Sequence, residues 1–495
     1  MANRLDLAPG DDGYRAVVDK RFNKRFPSTP ERIAVVHSAD QVVAALAEAV
    51  HHDRRVAVTS GGHCLEGFVS DPAVQVLIDM SPMKRVAFDP ERNAIAVEGG
   101  ATVGETCRAL FDSWGTVVPL GEYPQIGVGG HVVGGAFGFL CRQHGLAADH
   151  LYAVEVATVD AAGDVKCVIA SREPSDPNHD LWWAHTGAGG GNFGIVTRYW
   201  FRSAHASGRD PASLLPSAPE SITTLRAEWS WDDVDRATFS RLLTNLGTWA
   251  ERNSEPDSPD SSVFALLIAP RRQLGGIVLR VVSTAGTAER QLTALLGTVS
   301  EGIPAARPEM ARMSWLEFAL NPFPDLFTPP PGGVRTKAKD ALFKKRLSPR
   351  QLDVAYDCLT RADFDGVGGI FGLASYGGRV NSVPADATAS PHRQSILDVA
   401  CSAGWQDAAK DALHLEWART FYRDLFAETG GVPVPGDAYD GVLINHPDVD
   451  LADPALNTSG VSWSTLYYQG NYPRLQAIKA RWDPRNVFRH ALSIR

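Results

Sequence analysis

A histidine follows two adjacent glycines in the segment Ser60-Gly61-Gly62-His63-Cys64, directly after a short apolar run. Adjacent glycines let the backbone turn sharply and bring unobstructed N–H groups against a ligand. Two further glycine-rich loops, residues 121–138 and 187–194, have the same potential. Such backbone donors bind a pyrophosphate without a metal ion, and the histidine would lie close to the bound group. For the first segment alone, a tight surface turn with an incidental imidazole is the alternative.

The three loops together resemble those of the berberine-bridge-enzyme-like branch of the vanillyl-alcohol oxidase and p-cresol methylhydroxylase flavoproteins. Ser60-Gly61-Gly62-His63 is similar to the first pyrophosphate loop of that family, whose histidine is covalently attached to FAD. Gly127-Val128-Gly129-Gly130-His131, followed by Gly134-Gly135, is similar to the second loop. Near the C-terminus, residues 471–475 and 482–488 resemble the closing helix and tail of the family.

The resemblance implies an α+β fold with an FAD-binding domain of the p-cresol methylhydroxylase type, built from two subdomains. Residues 1–204 are expected to form the N-terminal part of that domain. Residues 205–444 are expected to form a substrate-binding domain in which helices cover an antiparallel sheet, although the resemblance is weak over most of this region. Residues 445–495 are expected to return to the FAD-binding domain.

The resemblance also implies FAD attached through His63 alone. Many family members attach the flavin a second time through a cysteine, and that position is Tyr123 here. Cys141, on the far side of the loop, is typical of a packed small residue. His131 is expected either to hydrogen-bond the flavin or to cap its own loop. The residues that the resemblance assigns to the FAD site are Ser60, Gly61, Gly62, His63, Cys64, Gly67, Gly121, Tyr123, Ile126, Gly127, Gly129, Gly130, His131, Gly134, Gly135, Gly138, Asp149, Gly194, Ile195, Val196, Tyr468 and Asn471.

The catalytic tyrosines of the bacterial family members are replaced in this chain. The segment Leu443-Ile444-Asn445-His446-Pro447-Asp448 carries His446 at the tyrosine position, and the corresponding loop position is Phe137. An unperturbed imidazole titrates near pH 6.5, so much of it is free to accept a proton at neutral pH. We therefore predict that His446 is the catalytic base, with Tyr376 and Tyr468 as the next candidates. A histidine satisfied by Asp448 or a nearby carbonyl is the alternative.

The function that the resemblance implies is FAD-dependent oxidation of a small molecule, typically a secondary metabolite, with O2 as a possible electron acceptor. A carbohydrate oxidase of the same family is one alternative, and a flavoprotein that catalyses a non-redox cyclisation or elimination is another. A NAD-dependent dehydrogenase is disfavoured. Gly189-Gly190-Gly191-Asn192-Phe193-Gly194 matches G-x-G-x-x-G, but the residues after it, 195–201, predict a strand instead of the helix that a dinucleotide site needs.

Composition limits the remaining partners. The net charge of −9 argues against nucleic acid, because phosphate binding needs a basic surface. No apolar run approaches the roughly 20 residues of a membrane span, and the N-terminus lacks the apolar core of a secretory signal. The six cysteines have no CxxC spacing, so the sequence predicts neither a metal site nor a disulfide framework. These features favour a cytoplasmic setting with a small-molecule substrate as the partner.

Overall fold

In the computed structural model, three β-sheets organise residues 5–327 and 330–495, which are the residues that it describes. The first sheet has four strands in the order β1-β2-β4-β3, and its last three strands run parallel. Its first strand is antiparallel to the second. The strands are β1 (Leu5–Leu7), β2 (Arg32–Val35), β3 (Val56–Thr59) and β4 (Val76–Asp79).

The second sheet has five antiparallel strands in the order β5-β6-β9-β7-β8. It packs with the first sheet around α2 (Ala39–His51), whose apolar residues face a core shared by both sheets. Ser38 caps the start of this helix by accepting a hydrogen bond from the Gln41 N–H. The strands are β5 (Val86–Asp89), β6 (Ala94–Glu98), β7 (Leu151–Val159), β8 (Val165–Ser171) and β9 (Ile195–Phe201).

The third sheet is antiparallel and contains nine strands in the described part of the chain. Eight strands follow the order β13-β10-β12-β11-β16-β17-β15-β18, and β14 pairs with β17. The strands are β10 (Ser221–Trp229), β11 (Val263–Pro270), β12 (Ile277–Ser283), β13 (Glu309–Ser314), β14 (Arg335–Lys337), β15 (Asp340–Phe343), β16 (Gly369–Ser375), β17 (Leu397–Trp405) and β18 (Tyr439–Gly441).

Helices cover one face of the third sheet, and the opposite face borders the site. Phe371, in the middle of β16, points to the helices and lies 5.3 Å between ring centroids from Phe421. Side chains alternate along a strand, so Ile370, Gly372 and Ala374 point the other way. The helices on this sheet are α7 (Arg236–Arg252), α8 (Ala288–Val299), α11 (Pro349–Thr360) and α12 (Asp411–Leu425).

The remaining helices are short, apart from α3 and α14. Helix α3 begins at a reciprocal capping box between Thr102 and Glu105 and ends at Gly115, whose positive φ of 62° suits glycine. None of the helices among the described residues is long and apolar enough to cross a membrane. These helices are α1 (Tyr14–Val18), α3 (Val103–Trp114), α4 (Val128–His131), α5 (Cys141–His144), α6 (His179–Ala184), α9 (Trp315–Leu320), α10 (Pro324–Phe327), α13 (Trp463–Tyr468) and α14 (Tyr472–Trp482).

Candidate active site

A cavity of about 570 Å³ separates the three glycine loops from the open face of the third sheet. The first loop contributes residues 58–65, the second contributes residues around 121–131, and the third contributes residues 188–196. The opposite wall is formed by side chains of β15, β16 and β17 and by the segment 443–447. The cavity therefore has a backbone-rich wall on one side and a side-chain wall on the other.

The first two glycine loops pack against each other, which explains why glycine occupies positions 61 and 127. A Cβ atom on Gly61 would lie 2.2 Å from the backbone nitrogen of Gly127. A Cβ on Gly127 would in turn lie 2.2 Å from the nitrogen of Gly61 and from Oγ of Ser60. At Gly130, by contrast, an added Cβ would meet nothing within 4 Å. Both glycines also border the cavity, and backbone N–H groups in such loops are the donors that a pyrophosphate requires.

Residues of the C-terminal segment 468–494 hold the third loop by hydrogen bonds. The amine of Lys479 donates a hydrogen bond to the carbonyl of Asn192 at 2.8 Å, and the backbone N–H of Ile494 donates to the Asn192 amide oxygen at 3.0 Å. The hydroxyl of Tyr468 donates to the carbonyl of Ala188 at 2.8 Å. The loop leads directly into β9, a strand, as the sequence predicts. The G-x-G-x-x-G match here therefore lacks the helix of a dinucleotide fold.

His63 lies in the cavity wall between two aromatic rings. Its imidazole stacks on Phe22 at 4.0 Å between centroids and lies 5.2 Å from the ring of Tyr123. Nε2 of His63 is buried and has no hydrogen-bond partner among the residues that the structure describes. Burial lowers the pKa of His63 to about 4, so the imidazole is neutral at physiological pH. A neutral imidazole at a cavity wall is a suitable nucleophile for attachment to a cofactor, so the residues present fit FAD.

His131 caps the second loop. Its Nε2 accepts a hydrogen bond from the backbone N–H of Gly121 at 2.8 Å. Burial, with smaller effects from His63 and His446, lowers the pKa of His131 to about 3. A neutral ring that accepts at Nε2 carries its proton on Nδ1, which leaves a donor for a ligand. The Nε2 contact is the loop-capping role that the sequence offers as one alternative for His131.

The segment that carries His446 is fixed to the second loop by Asn445. The side-chain amide of Asn445 donates to the carbonyl of His131 at 2.9 Å, and its oxygen accepts from the N–H of Ala136 at 3.1 Å. Gly134 leaves room for this amide, because a Cβ there would lie 2.5 Å from the Asn445 nitrogen. Asn445 therefore sets the distance between the next residue, His446, and the second glycine loop.

The side-chain wall of the cavity contains a cluster of His446, Asp340 and Asp398. Nδ1 of His446 lies 3.3 Å from Oδ2 of Asp340, and one ligand atom from each of the three residues lies within 4.8 Å of the others. The register of β15 and β17 explains the arrangement. Asp340 pairs with Ala400, two residues from Asp398, so the two carboxylates lie diagonally on the same face of the sheet.

The charges in this cluster change the protonation that the sequence predicts for His446. Burial lowers the pKa of His446, but Asp340, together with Asp398 and Glu122, outweighs burial and raises it to about 9. The residue is therefore mostly an imidazolium at neutral pH, whereas the sequence predicts an ordinary imidazole that titrates near pH 6.5. Burial, with the Asp340 charge, raises the pKa of Asp398 to about 8. Burial also raises the pKa of Glu122 to about 7.

Asp448 does not satisfy His446, because buried lysines neutralise it. Lys337 contacts Glu66 and Asp448, both at 2.6 Å, and Lys339 contacts Asp448 and, at 3.0 Å, Asp450. All five of these side chains are almost completely buried. The network fixes the residue before Asp340 and the residue two positions after His446. It therefore holds the two ends of the His446–Asp340 pair in place.

Most of the residues predicted from sequence line the cavity. Those in the lining are Ser60, Gly61, Gly62, His63, Cys64, Gly121, Tyr123, Ile126, Gly127, Gly129, Gly130, His131, Gly194, Ile195, Val196 and His446. Those outside the lining are Gly67, Gly134, Gly135, Gly138, Asp149, Asn471, Tyr376 and Tyr468.

The predicted residues outside the lining have structural contacts instead. Asp149 forms a paired contact with Arg393, at 2.8 and 3.0 Å. Asn471 donates to the carbonyl of Thr388 at 3.1 Å. Tyr376 is fully buried and stacks against Phe137, which itself borders the cavity, at 5.1 Å. The geometry thus places neither Tyr376 nor Tyr468 against a ligand in the cavity.

Three carboxyl groups that are not predicted from the sequence border the cavity: Asp340, Asp398 and Glu122. One signal was available for Asp398. It lies in the apolar run Ile396-Leu397-Asp398-Val399, where a lone carboxylate must be paired, hydrogen-bonded or functional. The burial of Glu122 gives no comparable signal, because its neighbours are polar or small.

Comparison with known proteins also indicates an FAD-binding protein. Residues 30–167 match the FAD binding domain family, and residues 442–495 match the berberine and berberine like family. Over 491 residues, 98% of this chain and 88% of the relative, the chain is 50% identical to an aclacinomycin-N/aclacinomycin-A oxidase from Streptomyces galilaeus. The crystal structure of an aclacinomycin oxidoreductase has a TM-score of 0.97 at 48% identity and covers 100% of both chains. A glycopeptide hexose oxidase solved with teicoplanin has a TM-score of 0.95 at 44% identity, covering 100% and 99%.

The fold, the cavity wall formed by the three glycine loops (the glycine cradle) and these relatives define an FAD-dependent oxidoreductase. Within that class, the chain belongs to the berberine-bridge-enzyme-like FAD-linked oxidases. The α+β fold and the family resemblance that the sequence indicates are therefore confirmed.

Proposed function

We propose that this enzyme oxidises a small secondary metabolite at a carbon that carries a hydroxyl or amino group, with FAD attached through His63 and O2 as the final electron acceptor. The observation that carries the proposal is the His446–Asp340 pair, which faces the glycine cradle across one cavity. The 50% identical relative, an aclacinomycin-N/aclacinomycin-A oxidase, supports a secondary metabolite as the substrate class.

Each group in the cavity has a defined part in this proposal. FAD, when bound, supplies the hydride acceptor. The backbone N–H groups around Gly61 and Gly127 bind its pyrophosphate. His446, in its neutral form, accepts the proton of the substrate hydroxyl or amino group, and the Asp340 carboxylate stabilises the imidazolium that results. The buried lysine network keeps that pair in position while the loops exclude water from the other side.

The proposal is tested by mixing the enzyme anaerobically with aclacinomycin N, aclacinomycin A and a series of free hexoses. A substrate is expected to bleach the flavin absorbance without oxygen, and admission of O2 is expected to restore it. Bleaching by a hexose alone would favour the carbohydrate oxidase alternative. Product formed while the flavin stays oxidised throughout would contradict the redox assignment and favour a cyclisation or elimination.

The pKa of His446 predicts a specific pH profile. A base with a pKa of about 9 is protonated below that value, so anaerobic flavin reduction should accelerate as pH rises and level off above about 9. Asp340→Asn removes the nearest carboxylate, so the pKa of His446 should fall and the rising limb should move to lower pH. Stopped-flow reduction between about pH 6 and 10 measures both curves. Asp112→Asn, which removes an exposed carboxylate on α3, should leave the profile unchanged. If the rate in Asp340→Asn rises at the same pH as in wild type, the assignment of this ionisation to His446 is contradicted.

Ile126 is predicted to slow the reaction of reduced flavin with O2. The family position that it occupies stands over the flavin edge, and here its side chain borders the cavity. Its N–H donates to the carbonyl of Tyr123 at 3.1 Å and its carbonyl accepts from Val103 at 2.8 Å, so the backbone is held when the side chain is shortened. Ile126→Val should reoxidise a few-fold faster in stopped-flow measurements after photoreduction. Ile303→Val, the same truncation outside the cavity lining, is the matched control. Equal reoxidation rates for wild type and Ile126→Val would contradict the prediction that Ile126 slows the reaction with O2.

A further inference from the structure

Among the described residues, Asp398 has no cation within ion-pair distance. Asp340 has His446 beside it at 3.3 Å, whereas no ion pair to Asp398 occurs in the part of the chain that the structure describes. Asp398 is 6% exposed, and its Oδ1 has no hydrogen-bond partner among the described residues. Burying a carboxylate without a partner is unfavourable unless a ligand, a proton or a cation compensates it.

The surrounding charges do not compensate Asp398. Asp340 on β15 and Glu122 on the second loop are both acidic and border the same cavity. Lys339, which precedes β15, also reaches the lining, but its amine is already bound by Asp448 and Asp450. His446 is therefore the nearest cation to three acidic side chains, so acidic groups outnumber cations at this end of the cavity.

We propose that the substrate supplies the missing cation, and that Asp398, assisted by Asp340, binds an ammonium group of an amine-bearing metabolite. The inference rests on the proposed function and specifies its substrate class. An ammonium offers up to three N–H donors, which suit carboxylate oxygens that have no partner, and the hydrogen bonds are charge-assisted. Once it is bound, two ion pairs lie side by side: His446 with Asp340, and the ammonium with Asp398.

Proton release gives the inference a signature that activity alone would not provide. Burial raises the pKa of Asp398 to about 8, so its carboxyl is mostly protonated at pH 7 in the free cavity. A bound cation favours the carboxylate and lowers that pKa, so the carboxyl loses its proton when the ammonium binds. A neutral ligand has no such effect, because it can accept a hydrogen bond from the protonated acid.

The experiment compares two probes of similar shape, benzylammonium and benzyl alcohol, on the oxidised holoenzyme. Flavin difference spectra, recorded anaerobically, give the dissociation constants, and calorimetry in two buffers of different ionisation enthalpy gives the protons released. We expect benzylammonium to bind at least about tenfold more tightly, the effect of one hydrogen bond to a charged group. We also expect release of about one proton per amine at pH 7. Equal affinity for the alcohol, or no proton release, would overturn the inference.

Asp398→Asn keeps the side-chain shape and removes the charge. The variant should lose the preference for benzylammonium and the proton release, whereas Asp112→Asn, which changes the net charge equally from an exposed position, should keep both. The wild-type comparison stands even if the variant is unstable. Failure of the proposed function is separable, because a flavin that no metabolite bleaches leaves the probe affinities measurable. Retained preference in a folded Asp398→Asn would assign the ammonium site elsewhere and overturn the inference.

Discussion

Replacing His446 by alanine is expected to slow anaerobic flavin reduction by about 10²- to 10⁴-fold, the usual contribution of a positioned base. The imidazole is the group at 3.3 Å from Asp340 that borders the cavity opposite the glycine cradle. Without it, the substrate proton has no acceptor whose charged form Asp340 stabilises. The pH profile of reduction should also lose its limb near pH 9, because the group that titrates there is gone.

Two measurements separate this role from a structural one. The absorbance spectrum of the bound flavin should be unchanged in His446→Ala, since Asn445 and the buried lysine network still fix the segment. His37→Ala, which removes an exposed histidine outside the cavity lining, should reduce its flavin at the wild-type rate. A rate for His446→Ala within about threefold of wild type, below the effect expected of a base, would transfer the role to another residue.

The glycine loops could be predicted from sequence because their constraint is local. Gly61 and Gly127 touch backbone to backbone, and only glycine allows that approach. The strand after the third loop was predictable for the same reason, since β-branched and aromatic residues fill positions 195–201.

The carboxylate cluster could not be predicted, because it depends on strand register. Asp340 and Asp398 belong to strands β15 and β17, and the pairing of Asp340 with Ala400 decides that both face the cavity. A shift by one residue would turn either side chain toward the helices. The pKa of His446 depends on the same register. The sequence predicts an ordinary pKa near 6.5, whereas the carboxyl groups that the fold places around the ring raise it to about 9.

For Tyr376, strand alternation predicts a position that the structure does not show. It follows Ala374 by two residues, so strand alternation would place it on the cavity face. Strand β16 ends at Ser375, however, and the ring of Tyr376 stacks behind Phe137 at 5.1 Å. Burial raises the pKa of Tyr376 well above its ordinary value, which makes its hydroxyl a poor proton acceptor. Residue type alone therefore does not show whether a ring reaches the cavity.

Replacing His63 by alanine is expected to abolish covalent attachment of FAD completely. Acid-precipitated wild-type protein should stay yellow, and His63→Ala should release all of its flavin into the supernatant. The reason is that His63 borders the cavity and is neutral at physiological pH, with a pKa lowered to about 4. It can therefore act as the nucleophile toward a cofactor held by the first two loops.

Two cysteines provide the controls for this prediction. Cys64 lies next to His63, but its thiol is directed to the carbonyl of Glu66 at 3.2 Å, so Cys64→Ser should keep the flavin attached. Cys141 is fully buried, and burial raises the pKa of its thiol to about 12, which disfavours the thiolate that an attachment would need. A tryptic flavopeptide should contain His63. Wild-type flavin recovered free in the supernatant would contradict covalent attachment, and a flavopeptide that carries Cys141 would contradict attachment through His63 alone.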